Sequence, residues 1–298
     1  MFIATYIAAD KLNAADLARA AELLRGMNCR TSDPIWLDEG SAADIRYEVP
    51  DGADGIGIGR YLLDGYFDEY DLVFQAAAAR EKRLLIADMD STMITVECID
   101  ELADYAGLKP QIAAITEAAM RGELDFAGAL DARMALLKGL DAGAIDRCRA
   151  ERVRLTPGAR TLVRTMRARG AATVLVSGGF TAFAEPVGAE IGFDTVIANR
   201  LEIDGESLAG TVGKPIVDAG TKLATLERVR DELGLPVEAT LAVGDGANDL
   251  PMIQAAGLGV AYHAKPVVAA AAAARIDHGD LTALLWAQGI PRAQWVFD

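Results

Sequence analysis

Residues 84–95 read LLIADMDSTMIT, and the fold turns on this stretch. Leu84 to Ala87 are apolar or small on both faces, and they run into two aspartates, Asp88 and Asp90, set two positions apart. A short run that is apolar all round suits a strand covered on both sides, as in a parallel sheet flanked by helices. The pattern recurs as TVLVS (173–177), TVIAN (195–199), TLAVG (240–244) and LGVAY (258–262), with helical stretches between. That alternation predicts an α/β fold with a parallel sheet. Ligands of such sheets sit outside the carboxyl ends of the strands, and the polar residues at those ends are Asp88, Ser177 and Asp245.

Downstream of the first run, about Thr95 to Glu151 is too long for one crossover helix and predicts an inserted helical cap or lid. A helix from Asp218 to Leu233 has Leu223, Leu226 and Leu233 directed inward and Gly234 as its stop. Val267 to Ala274 reads as a short Ala-rich helix. Upstream, FIATYIA (2–8) predicts a strand, Ala14 to Arg25 a helix with Leu17, Ala21 and Leu24 on one side, and ADIRYEV (43–49) a half-buried strand. VPDGADGIGIG (49–59) reads as a Gly-rich loop followed by helix, and QAAAAREK (75–82) as a helical connector. The expected domains are therefore a small α+β unit over 1–76 and a larger α/β domain over 77–298, with the cap at about 95–151. A fragment starting near Ala76 is expected to keep every catalytic residue.

The chain has 298 residues, 52% hydrophobic and 24% charged, which is an ordinary globular composition with room for two domains. Its net charge of −15 repels nucleic acid and anionic membranes. Three scattered cysteines, Cys29, Cys98 and Cys148, form neither a disulfide framework nor a zinc pattern. The amino-terminal residues lack a signal-peptide pattern and no apolar run reaches a membrane span, so a cytoplasmic location is expected. The oligomeric state is left open, a homodimer included.

Two carboxylates at Asp88 and Asp90 face the same side of an extended segment, where they repel unless a cation intervenes. AVGDGANDL (242–250) adds Asp245, Asn248 and Asp249 after another apolar run. Carboxylates without neighbouring His or Cys suit a hard cation, Mg2+ first, which also favours a phosphate oxygen as ligand. VSGGFT (176–181) offers the Ser177 hydroxyl and the Gly178 and Gly179 amides as an anion cradle, and Lys222 a point charge. Within the cap, Phe126, Leu130, Arg133 and Leu137 share a helix face, so Arg133 interrupts an apolar stripe. Glu97 opens a helix. Taken singly, each feature is more often a turn, a cap or a solvated charge. The ordered set, most of it directly after apolar runs, is what points to phosphate chemistry.

DMDST (88–92), VSGGF (176–180), Lys222 and VGDGANDLPMI (243–253) resemble the four motifs of the haloacid dehalogenase superfamily. ECIDELADYAG (97–107), EAAMRGELDF (117–126) and SGGFTAFA (177–184) are similar to its phosphoserine phosphatases, and the likeness spans about 84–285. The resemblance implies a Rossmann-like core with a cap inserted after the first strand, and hydrolysis of O-phospho-L-serine, the last step of serine biosynthesis. It implies Asp88 as nucleophile and Asp90 as general acid and base. Mg2+ would be held by Asp88, Asp245 and the Asp90 carbonyl, with Asp249 supporting the shell. Ser177, Gly178 and Lys222 would hold the phosphoryl group, with Asn248 supporting the metal shell and the substrate site. Glu97 would hold the substrate ammonium and Arg133 its carboxylate, and Met120 and Phe126 would cover the pocket. The amino-terminal unit resembles the ACT-like domain found on some such enzymes. Competing readings are transfer of the phosphoryl group to another alcohol, a different small phosphate ester, a receiver-like module, and a flavodoxin-like binding protein. A receiver lacks a second Asp two residues on, and a flavodoxin-like protein leaves the acidic cluster unexplained.

Overall fold

A computed structural model describes residues 1–120 and 123–297, with backbone alone at Ala119 and Met120. The first 76 residues run β1 (Phe2–Ala8), α1 (Ala14–Gly26), β2 (Arg30–Thr31), β3 (Ile35–Asp38), β4 (Ala42–Glu48), α2 (Gly55–Leu63) and β5 (Tyr70–Ala76). The strands form an antiparallel sheet in the order β2-β4-β1-β5, with β3 also on β4. Strand alternation divides this sheet between two cores. Tyr6, Ala43 and Ile45 pack with Leu17 and Leu24 of α1, while Ile7, Ala42 and Val73 belong to the core of the larger unit.

Two expectations fail here. GIGIG is not loop but the first turns of α2. Its glycines permit close packing on the sheet: a Cβ on Gly55 would lie 2.2 Å from the Phe2 ring, and one on Gly59 2.5 Å from the Tyr47 hydroxyl. Residues 77–83 are irregular rather than helical, with Ala79 at φ +54. The segment is fixed by tertiary bonds that a helix could not make. The Arg80 guanidinium reaches Asp44 at 2.5 and 2.7 Å, the Thr5 hydroxyl at 2.8 Å and the carbonyls of Trp286 and Ala287 at 3.0 and 2.9 Å.

The larger unit follows as β6 (Leu84–Ala87), then α3 (Cys98–Tyr105), α4 (Lys109–Met120), α5 (Phe126–Leu136) and α6 (Gly143–Arg152), which make the cap. Then come α7 (Ala159–Ala168), β7 (Ala172–Phe180), α8 (Thr181–Ile191), β8 (Thr195–Asn199), β9 (Leu201–Asp204), β10 (Ser207–Val212) and α9 (Ala219–Glu232). The chain ends with β11 (Thr240–Gly244), α10 (Leu250–Ala255), β12 (Leu258–Tyr262), α11 (Pro266–Ala271), β13 (Ala274–Ile276) and α12 (Ala283–Ala287). The sheet is wholly parallel, in the order β13-β12-β11-β6-β7-β8. The order reverses between β6 and β11, the position where open α/β sheets bind ligands.

The β9–β10 hairpin and β13 are not foreseen from sequence, and the predicted Ala-rich helix stops at Ala271. In α9 the inward residues are Lys222, Thr225 and Leu226, whereas Leu233 is 49% exposed, so the expected face is rotated toward a buried lysine.

The two sheets are tied together. Besides Arg80, the Asp71 carboxylate accepts the amides of Asp277, His278 and Gly279 at 2.7, 3.1 and 2.7 Å. A fragment starting near Ala76 removes Asp44 and Thr5 from Arg80, and Ile7, Ala42 and Val73 from the shared core. Breaking one buried ion pair costs about 3–5 kcal/mol. The fragment should therefore unfold at least ~10 °C below the full chain in a thermal melt, although the aspartates remain in place. Equal melting temperatures would show that the interface contributes nothing.

Candidate active site

Asp88 and Asp90 leave β6, Ser177 to Gly179 lie near the carboxyl end of β7, and Asp245 follows β11. All of them line a cavity of about 290 Å³, closed from the other side by the cap residues Glu97, Asp100, Phe126 and Arg133. The residues singled out from sequence on opposite sides of the cap insertion thus meet in one place.

Lys222 is fully buried, and its Nζ donates to Asp88 Oδ1 at 2.5 Å and to Asp249 Oδ1 at 2.7 Å. The other oxygen of Asp249 accepts the Gly246 amide at 3.0 Å. Carboxylate oxygens of Asp88, Asp245 and Asp249 lie within 4.8 Å of one another. Burial holds the Asp88 carboxyl well above the usual carboxylate range, against the pull of Lys222. Burial, then the neighbouring Glu97, pushes Asp90 up to about 7. Asp245 rises to about 6 through burial and the charges of Glu97 and Asp249. Burial alone would depress Lys222, but the two carboxylates more than offset it and its pKa is raised. Three crowded carboxylates facing one ammonium leave an excess of negative charge that a hard divalent cation would relieve, and the donors are all oxygen. The group fits such an ion.

The polypeptide around these groups leaves little freedom. A side chain at Gly179 would crowd the site: a Cβ there would come 2.9 Å from Asp90 Oδ2 and 3.0 Å from the Ser177 hydroxyl. Its amide donates to Ser177 Oγ at 2.9 Å, so of the two amides expected to cradle an anion, this one has an internal partner. A Cβ on Gly178 would lie 3.2 Å from the Phe126 ring, which shows the cap closing directly on this loop. Arg133 is half-buried, donates from Nε to the Ala129 carbonyl at 3.2 Å, and has no carboxylate partner among the described residues. Burial depresses its pKa, and the nearby Asp100 and Glu97 partly restore it. Leu130 and Leu137 are buried on the same face. Asn248 lines the cavity. The side chain of Met120 lies outside the described residues.

Sequence reasoning missed Asn199. Its amide donates to the Gly178 carbonyl at 2.8 Å and its oxygen accepts the Val217 amide at 2.7 Å. It thereby fixes the carboxyl end of β7 to the segment that leads into α9 and Lys222. The available signal was a polar residue closing the apolar run TVIAN. Lys265, on the cavity wall, was also passed over.

The model of haloacid dehalogenase-like hydrolases matches residues 85–254. The chain is 48% identical over 215 residues to the phosphoserine phosphatase of Streptomyces coelicolor, a match covering 72% of this chain and 52% of that protein. It is 43% identical over 258 residues to the phosphoserine phosphatase of Mycobacterium tuberculosis, covering 84% and 62%. The chain therefore spans between half and two thirds of the length of these relatives. Among solved structures, a probable phosphoserine phosphatase from Vibrio cholerae superposes with a TM-score of 0.77 at 31% identity, over 98% of this chain and 87% of that one.

Proposed function

Because the chain belongs to the haloacid dehalogenase-like hydrolase family, we propose that it hydrolyses O-phospho-L-serine to serine and phosphate through a phosphorylated Asp88. The observation that carries the substrate is Arg133: a half-buried guanidinium without a carboxylate partner among the described residues, in the same cavity as Asp88, Lys222's partner. Glu97, which lines the same cavity, supplies a carboxylate. Phosphate, carboxylate and ammonium of one small substrate thus each meet a group of opposite charge.

In the first half-reaction an Asp88 oxygen forms a bond to phosphorus while the bond from phosphorus to the serine oxygen breaks. Asp90, its proton retained by a pKa near 7, gives that proton to the departing oxygen. In the second, Asp90 takes a proton from water as the water oxygen attacks phosphorus and Asp88 is released. Lys222 neutralises charge beside Asp88 throughout and holds the phosphoryl oxygens with Ser177 and Gly178, while Asn248 supports the site. Mg2+, held by Asp88, Asp245 and the Asp90 carbonyl with Asp249 in support, would supply further charge neutralisation. The separate sheet before residue 77 fits an ACT-like unit. No described helix is long and apolar enough to cross a membrane, which fits the cytoplasmic place of serine synthesis.

The test is phosphate release across phosphorylated amino acids and sugars, with Mg2+ and with EDTA. Phosphoserine should lead the panel by at least tenfold in kcat/KM, and EDTA should abolish release reversibly. A sugar phosphate in first place, or full activity in EDTA, would contradict the proposal.

A further inference from the structure

Ser91 sits between the catalytic strand and the cap, at φ +54, in the left-handed region that a serine seldom occupies. Strain of this kind persists where surrounding contacts impose it. Two contacts do so here. The Ser91 amide donates to the Val96 carbonyl at 3.2 Å, and its hydroxyl donates to Glu97 Oε1 at 2.7 Å. The six-residue loop that follows Ser91 is thus closed on itself, with Glu97 returned to the cavity mouth. Glu97 occupies the N-cap position of α3, yet its side chain caps none of the helix amides. Among the described residues its one hydrogen-bonded oxygen is the one that Ser91 holds, and Glu97 lines the cavity.

We propose that Ser91 is a positioning residue for substrate selectivity: its hydroxyl holds the Glu97 carboxylate where it receives the substrate ammonium. This rests on the reading of Glu97 given under the proposed function. A glutamate at the mouth of a cavity otherwise samples several rotamers, and fixing one of them on binding has an entropic cost. The Ser91 hydrogen bond selects the rotamer beforehand. The carboxylate can accept from both partners at once, since each of its oxygens carries two lone pairs.

The experiment compares phosphoserine with 3-phosphooxypropanoate, which has hydrogen in place of the ammonium. Ser91→Gly removes the hydroxyl and suits the left-handed backbone; Ser91→Ala removes the hydroxyl alone. Both variants should lose roughly fivefold in kcat/KM on phosphoserine, the scale of immobilising one side chain on binding, and less than twofold on the analogue. Adding Ser91→Gly to Glu97→Ala should cause no further loss, because the two act through one contact. Equal loss on both substrates, or none on phosphoserine, while Glu97→Ala still discriminates between them, would overturn the role of Ser91 alone. A Glu97→Ala variant that does not discriminate would overturn the underlying reading of Glu97 and this inference with it.

Discussion

Asp88→Asn is expected to lower turnover by about 10⁴-fold or more, the scale seen when a covalent nucleophile is removed. An amide nitrogen or oxygen does not attack phosphorus at a useful rate, and the neutral side chain no longer balances a cation. The loss should come with an intact fold. Asp88 is almost wholly buried and its carboxyl is held well above its ordinary pKa, so ionising it in place works against burial. Lys222 keeps its second partner, Asp249, at 2.7 Å. The melting temperature should therefore stay level or rise while activity disappears. Retention of more than a few per cent of wild-type turnover would rule out Asp88 as the nucleophile. Asp90→Asn should be milder on p-nitrophenyl phosphate than on phosphoserine, since a good leaving group needs little protonation.

Arg133→Ala is expected to reduce kcat/KM on phosphoserine by roughly 10- to 150-fold, the equivalent of the 1.5–3 kcal/mol of a hydrogen bond to a charged group. On p-nitrophenyl phosphate, which has no carboxylate, the loss should stay under about threefold. The difference follows from the surroundings of the guanidinium. It is anchored to the Ala129 carbonyl and faces the cavity, where the nearby acids Asp100 and Glu97 favour its charge. Removing it leaves a substrate carboxylate partly desolvated with no counter-charge, which can enlarge the loss. Equal damage to both substrates would mean that Arg133 supports the cap rather than reading the carboxylate.

The parallel sheet and the acidic site were legible because each depends on local pattern. LLIA, TVLVS, TLAVG and LGVAY are apolar on both faces, and their recurrence between helical stretches suits strands covered by helices on both sides. The aspartates follow those strands directly, so the topology alone brings Asp88 beside Asp245. The features that were not legible are set by contacts distant in sequence. GIGIG looks like loop until Phe2 and Tyr47 are placed against its missing side chains. QAAAAREK has strong helix formers, and Arg80 overrides them by reaching Asp44, 36 residues away, and the carbonyl of Ala287. Lys222 is singled out in sequence as a charge for phosphate, but its burial was not legible: the apolar residues of its helix suggest a different inward face, and the lysine is drawn in by the carboxylates of Asp88 and Asp249. Ser91 lies within DMDST, but its link to Glu97 is not legible, because it depends on a backbone angle and on the return of the loop.

The most direct measurement of the central claim is an acid-quenched incubation of the wild-type enzyme with ³²P-labelled phosphoserine and Mg2+, followed by proteolysis and mapping of the label. A covalent phosphoaspartate predicts acid-stable, hydroxylamine-labile label on the peptide that contains Asp88, and none in Asp88→Asn. Label on another peptide, or rapid phosphate release with no labelled protein at any quench time, would contradict it.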